Sequence, residues 1–280
     1  MNTEIDLSME IPTRYIERFG VFEDLGFCIA PYVLSDGEYA YQYSQRLMAG
    51  QNVIMDNGAY ELGGAIDIKA ILEAAERINC GWAFPGLIII APDHPTDKEA
   101  TIRSTMEFRD KLAGEAISPT IRIAAVVQGN NPKEQTDCYN YFVRQGFGYI
   151  CLSFLWDRPK LLSLKPNWHP HIRHHLLGCY GLDEIRWMRA YATLPPNASI
   201  DTVKPLKAAL AGKYLIDHVR GGGKWNHNIV LDEEQERRYR INCAALYAAC
   251  HTYISHDECS PIYNRPTDTY SDARGIKEAV

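Results

Sequence analysis

Leu87-Ile88-Ile89-Ile90 runs directly into Ala91-Pro92-Asp93-His94-Pro95, so four aliphatic residues are followed by a turn that carries a carboxylate. A short, uniformly apolar run bounded by turn residues is the pattern of a strand covered on both faces, as in a parallel sheet. The same design recurs along the chain at Phe27–Ala30, Asn52–Met55, Ile123–Val127, Tyr149–Leu152, His175–Gly178 and, more weakly, Ala198–Ile200. Amphipathic helical patterns lie between several of these runs, over Ile68–Ile78, Asp97–Leu112, Pro132–Gln145 and Leu182–Ala192. Strands alternating with helices predict repeated strand-helix units.

The polar residues that end the runs favour a closed sheet over an open one. Asp56, Asp93, Gln128, Ser153 and Asp201 each end a different strand, at the rim where barrel enzymes collect their catalytic groups. The expected fold is therefore α/β, a TIM-like (β/α)8 barrel with a short C-terminal helical appendage. Seven strands are evident; the eighth is either Tyr214–Ile216 or a segment near the N-terminus. The barrel is expected over residues 1–217, with a Gly-rich loop and a helical appendage packed on it over 218–280. The helix, from about Asp232 to Cys250, has an acidic first turn and Glu233/Arg237, Glu234/Arg238 and Glu236/Arg240 spacings that support it. The tail from Ser260 onward has turn residues and little apolar periodicity.

Composition is that of a globular chain: 280 residues, 46% hydrophobic and 23% charged, with 20 Gly and 15 Pro, which excludes disordered, collagenous and coiled-coil classes. No apolar stretch approaches the ~20 residues of a membrane span, and the acidic segment Met1–Glu10 lacks a signal-peptide apolar stretch. The expected location is the cytoplasm, with no membrane partner. The eight cysteines are scattered, several within apolar runs, and read as reduced, buried thiols. A formal charge of −6 means that any nucleic acid must be held by local basic patches.

Several of these rim residues suit chemistry. Asp56-Asn57-Gly58-Ala59-Tyr60-Glu61-Leu62-Gly63-Gly64 sets a carboxylate at a strand end before glycines that admit close approach of a ligand, and it also suits a plain Asp-Asn-Gly turn. Asp93 and Gln128-Gly129, on neighbouring strands, supply the acceptor and donor mix that reads a purine-like edge; alone, each also suits a helix cap or a loop start. Asp201 is placed either as a nucleophile toward a sugar carbon, given a second carboxylate across the site, or as the N-cap of the helix that follows. Lys204, Lys207, Lys213, Arg220, Lys224 and Trp225 form a candidate phosphate track, unless Arg220–Trp225 is simply a flexible glycine loop. His169, His171, Arg173, His174 and His175 form a second basic cluster, read as a surface or interface feature.

Taken in order, these segments resemble the tRNA-guanine transglycosylase superfamily. Asp56-Asn57-Gly58-Ala59-Tyr60 resembles its Asp-Ser-Gly-Gly-Phe, and Val127-Gln128-Gly129 its Val-Gln-Gly-Gly. Tyr149–Phe154 resembles the strand that exposes backbone to the base. His175-Leu176-Leu177-Gly178 with Leu182-Asp183-Glu184-Ile185 resembles its Leu-Met-Gly and Pro-Glu-Asp. Ser199-Ile200-Asp201-Thr202-Val203 resembles its Met-Phe-Asp-Cys-Val. The resemblance spans roughly residues 25 to 215. It implies that Asp201 attacks C1′ of a guanosine to give a covalent glycosyl-enzyme, and that Asp56 acts as acid/base on the incoming base. It further implies that Asn57, Asp93, Gln128 and Gly129 recognise the base, helped by backbone near Leu152 and Ser153, while Tyr60 stacks on it.

Two departures from the family pattern stand out. No Cys-x-Cys-x2-Cys…His zinc spacing follows Asp201, so no zinc subdomain, no metal and no cofactor are expected. Leu152-Ser153 also replaces the family's two glycines, which narrows the pocket. A short, zinc-free chain with Asp-Asn-Gly-Ala-Tyr-Glu-Leu-Gly most resembles the DNA-modifying branch found in phages and bacteria. That branch implies exchange of guanine in DNA for a 7-deazaguanine such as preQ0, with the target single-stranded, melted or flipped out, with or without an accessory protein. The alternatives are a transglycosylase acting on tRNA, a non-catalytic nucleic-acid-binding subunit with the same barrel, and an unrelated barrel glycosidase.

Overall fold

The computed structural model describes residues 4–59, 66–79, 85–115, 120–154, 158–163, 168–190, 194–217 and 226–252. Eight parallel strands form one sheet: β1 (Asp6–Met9), β2 (Gly26–Ile29), β3 (Val53–Asp56), β4 (Leu87–Ile90), β5 (Arg122–Val127), β6 (Tyr149–Leu152), β7 (Arg173–Leu176) and β8 (Ala198–Thr202). Their spatial order is β1-β8-β7-β6-β5-β4-β3-β2, with helices between successive strands, which makes a nearly closed TIM-like (β/α)8 barrel. The missing strand is the N-terminal one, paired with β8 in the register Asp6↔Ser199 and Ser8↔Asp201. Leu215–Asp217, the other candidate, is one turn of 3-10 helix. β1 escapes a search for apolar runs because only Leu7 and Met9 of its four residues are apolar.

Each apolar run divides its side chains between two cores, because successive residues of a strand point to opposite faces. Phe27, Ile54, Ile88, Ile90, Ala124, Val126, Tyr149 and Cys151 fill the lumen. The alternate residues, among them Cys28, Val53, Met55, Ile89, Ala125 and Ile150, pack outward against the helices. Two of the outer helices start where side-chain caps satisfy their first N–H groups: Asp97 accepts from Ala100 before Lys98–Ala113, and Asn131 accepts from Glu134 before Pro132–Arg144. β7 begins two residues before the predicted run, since Arg173 pairs with Tyr149 and His174 with Ile150. Polar side chains at the end of a barrel lumen do not break a strand, but they interrupt the apolar pattern that reveals it.

Side chains complete the closure between β1 and β2. Direct pairing there consists of an isolated bridge between Glu10 and Phe27, plus the Asp24 and Leu25 N–H groups donating to the Leu7 carbonyl. The Leu7 N–H donates to the Asp24 carboxylate at 2.8 Å, and the buried Met9 N–H donates to the Glu23 carboxylate at 2.5 Å. Arg46 in turn pairs with Glu23 and donates to the Gly20 carbonyl. The helix Glu233–His251 covers the same side of the barrel. It starts with a capping box between Asp232 and Gln235, and it buries Tyr239, Cys243, Leu246 and Cys250 in one core with Ile5 and Leu7. Of the expected i,i+4 pairs Glu234–Arg238 forms, while Glu234 also takes Arg237 and Glu236 pairs with Arg18 of the N-terminal segment.

Among the described residues Cys28, Cys138, Cys151, Cys179, Cys243 and Cys250 are buried free thiols, and burial raises the pKa of each. Among the described residues no helix is long and apolar enough to cross a membrane.

Replacing Glu23 by Ala strands both the Met9 N–H and the Arg46 guanidinium at the seam. Glu23→Ala is expected to lower unfolding stability by about 3–5 kcal/mol, the usual cost of breaking a buried ion pair from one side. Glu23→Gln, which keeps an acceptor for Met9, should lose clearly less. Urea unfolding of the two variants checks this, and equal midpoints would remove the carboxylate from barrel closure.

Candidate functional site

Strand alternation continues past the lumen core and decides which side chains reach the rim. Ile54, Val126, Cys151, His175 and Ser199 face the barrel axis; two residues further on stand Asp56, Gln128, Ser153, Leu177 and Asp201. All five line one cavity of about 270 Å³ at the C-terminal end of the strands. Its walls also include Asn57, Asp93, Lys204, Lys207, Phe154 and Tyr180. The volume lies near the lower end of the roughly 300–1,000 Å³ of small-molecule pockets.

Asp201 lies within β8 and does not cap the following helix, whose N-cap is Val203 with no side-chain cap bond. The residue is 3% exposed, and its Oδ1 accepts from the Gly178 N–H at 2.9 Å and pairs with His175 Nε2 at 3.1 Å. His175 Nδ1 lies 2.8 Å from the Ser199 hydroxyl, which lies 3.2 Å from the Tyr149 hydroxyl. One proton order satisfies the whole chain: Tyr149 donates to Ser199, Ser199 to His175 Nδ1, and His175 Nε2–H to Asp201. The other Asp201 oxygen is left for the cavity that the residue lines. Gly178 has φ +64°, and a Cβ on it would stand 2.6 Å from the Phe154 ring, so a side chain there is excluded twice.

His175 is the main residue that the sequence reading misplaced. His174 and His175 are both fully buried and point to opposite sides of β7, so they are no part of a surface cluster. His174 faces outward, bonded to the Tyr139 hydroxyl and the Pro196 carbonyl, and burial pushes its pKa down to about 4. His169, His171 and Arg173 remain exposed. Alternation counted back from Leu177 would have identified His175 as facing the axis.

Asp93 is the centre of a second network. One oxygen accepts from Asn57 Nδ2 at 3.1 Å and the other from Gln128 Nε2 at 2.7 Å. Asn57 also donates to the Ala91 carbonyl, and Gln128 Oε1 accepts from the Thr96 N–H. Burial raises the Asp93 pKa, and the two amide donors oppose the shift. Asn57 and Gln128 thus hold Asp93 in place. Asp56 accepts from the Gly58 N–H at 2.6 Å in a turn, and Gly58, at φ +73°, could carry a side chain only by colliding with Pro31.

Two expected contacts fall elsewhere. Leu152 belongs to the apolar core, and its carbonyl accepts from the Leu177 N–H and from Arg158, leaving Ser153 as the β6 residue at the cavity. Gly129 packs on the helix Pro132–Arg144, where a Cβ would stand 2.7 Å from Glu134 Cβ. Tyr60, Arg220 and Lys224 lie outside the described residues. Of the basic track, Lys204 and Lys207 line the cavity, whereas Lys213 is exposed elsewhere. Lys204 stands 5.2 Å over the Tyr180 ring, and burial followed by the neighbouring Lys207 lowers its pKa. Glu10 adds a carboxylate at the rim that no motif marks.

A buried ion pair fixes the loops on this side. Arg158, 2% exposed, bonds Glu184 through Nε and Nη2 and donates to the carbonyls of Leu152 and Leu177. Glu184 also accepts from the Tyr180 N–H. The ends of β6 and β7 are therefore tied to the helix Leu182–Ala190. Among the described residues no group of three or more His, Cys, Asp or Glu side chains is arranged to hold a metal ion.

No protein-family model and no curated protein matches this chain. Among solved structures it is similar to a tryptophan synthase from M. tuberculosis, with 13% identity and a TM-score of 0.53 over 89% of this chain and 94% of that one. An enolase of the mandelate racemase subgroup from Agrobacterium tumefaciens matches at 12% identity and TM-score 0.46, over 72% of this chain and 56% of that one. A dihydrodipicolinate synthase from the same organism matches at 11% and 0.44, over 72% and 70%. At these identities the likeness concerns the fold, which hosts many unrelated chemistries.

Gly178→Ala is expected to cost about 1–2 kcal/mol from the left-handed backbone alone, with further loss as Phe154 is displaced. Chemical denaturation measures it. An unchanged midpoint would mean that the loop carrying the Asp201 donor is not held in this conformation.

Proposed function

We propose that this protein is a base-exchange transglycosylase that replaces guanine in DNA by a 7-deazaguanine. The observation that carries the reading is the meeting of Asp56, Asp93 and Asp201 on one small cavity, each in a different environment. A displacement at a sugar carbon needs one carboxylate aligned as nucleophile, and one that manages a proton. Asp201, aligned by Gly178 and His175, suits the first role; Asp56, in a turn on the same cavity, suits the second.

In this reading Asp201 attacks C1′ of the target nucleotide, and the glycosidic electron pair departs with guanine, which leaves a covalent glycosyl ester. Asp56 protonates the departing base and then takes the proton from the incoming one, whose nitrogen attacks C1′ and releases Asp201. Leaving and entering bases share one pocket, so the exchange is ping-pong. Asp93, fixed by Asn57 and Gln128, accepts from the N–H edge of the base. Lys204 and Lys207 border the mouth, where the phosphates that flank the target would pass. The choice of DNA follows the resemblance of the Asp56–Gly64 segment to the DNA-modifying branch.

The test is incorporation of labelled guanine or preQ0 into single-stranded DNA and into unmodified tRNA, with Asp201→Asn as control. Label is expected in DNA only, and exchange by Asp201→Asn should fall by roughly 10³-fold or more. Label in tRNA alone would keep the chemistry and overturn the polymer. No label in either, with a folded protein, would favour a binding-only barrel.

His175→Phe removes the buried donor to Asp201. A hydrogen bond to a charged group is worth about 1.5–3 kcal/mol, so kcat should fall about 10- to 100-fold with KM little changed. Steady-state kinetics at several pH values measures this, and a change confined to KM would remove His175 from the alignment of Asp201.

A further inference from the structure

The opposite, N-terminal end of the barrel carries a second cavity, of about 370 Å³, and base exchange leaves it unused. Arg109, Arg122, Arg173 and His171 line it, together with Phe147 and Tyr149, and no Asp or Glu is among its described lining residues. Arg122 and Arg173 belong to β5 and β7 and flank Tyr149 of β6, each with the parity that faces the barrel axis. Three guanidinium groups on one concavity are unusual in a chain with 29 basic against 35 acidic residues. Their protein counter-charges are weak: Arg173 is 3.8 Å from Asp6, and Arg109 reaches only the adjacent, exposed Asp110 at 3.4 Å.

Arg122 is the least compensated of the three. Its Nη2 donates to the side-chain Oδ1 of Asn52, but its buried Nε makes no hydrogen bond. Burial and then Arg173 push its pKa down. A buried donor without a partner, beside like charges, costs free energy that folding alone does not recover. An anion with several oxygens in the cavity would screen the arginines from one another. The fork of the guanidinium matches phosphate geometry in particular. Gly146 and Gly148, where an added Cβ would meet nothing within 4 Å, keep the entrance open.

We propose that this cavity binds the terminal phosphate of a small molecule, held by Arg109, Arg122 and Arg173 at the end of the barrel remote from Asp201. A polymer backbone needs a track of basic groups that continues on both sides, whereas the arginines here share one concavity, which favours a compact phosphate group.

Isothermal titration of the full chain at low salt, with inorganic phosphate and with a nucleoside monophosphate, tests it. Saturable binding is expected, with a Kd below about 1 mM. Arg109→Gln and Arg173→Gln, both at partly exposed side chains that should fold, are each expected to weaken it about tenfold, the loss of one charge-assisted contact. Lys204→Gln, at the other cavity, should leave it unchanged. Absence of saturation up to about 10 mM, or binding that survives both arginine variants or is lost with Lys204→Gln, would overturn the proposal. So would equal competition by acetate, or tighter, arginine-dependent binding of an oligonucleotide without terminal phosphates; the last would assign the cluster to nucleic acid.

Discussion

The molecule depends on closing the sheet between β1 and β2. Seven of its eight strand neighbours pair in continuous register, but at this seam the backbone supplies only a bridge and a shared carbonyl. Glu23 and Asp24 complete the closure, accepting the N–H groups of Met9 and Leu7 as a neighbouring strand would. An open seam would leave these donors unsatisfied in the interior. Arg46 holds Glu23 from behind, so the seam rests on an ion pair that the core surrounds.

Closure also gives the strands a common axis, and two-residue alternation then assigns every side chain. Layers of apolar residues fill the middle of the lumen, and polar groups collect at its two ends. At the C-terminal end the polar groups pair across strands: Asn57 and Gln128 with Asp93, and His175 with Asp201. At the N-terminal end the groups are mostly of one sign. The first arrangement holds carboxylates in defined places; the second sets guanidinium groups beside one another.

The chain Tyr149–Ser199–His175–Asp201 connects these observations physically. Tyr149 lines the arginine cavity, and its hydroxyl begins the series of bonds that ends on the carboxylate proposed as nucleophile. Each link is buried, and hydrogen bonds in such an environment are stronger and orient one another. Arg158 and Glu184 act similarly on the loops, fixing the carbonyls of Leu152 and Leu177 so that Ser153 and Gly178 border the cavity.

By itself the sequence determined the class of fold and the rim. Uninterrupted apolar runs such as Leu87–Ile90 mark strands covered on both sides, and Asp56, Asp93, Gln128, Ser153 and Asp201 end five of them at the cavity. Such features are local, since each depends on a residue and its few neighbours. The tertiary structure alone decided the eighth strand, whose alternating Asp6-Leu7-Ser8-Met9 gains meaning only when β8 and the lumen are beside it. It gave His174 and His175, on opposite sides of β7, their buried partners Tyr139 and Asp201. It also assigned Gly129 to helix packing and Leu152 to the core. Partners far apart in the chain meet only after the barrel closes, and burial then decides whether a polar side chain is solvated, paired or poised to act.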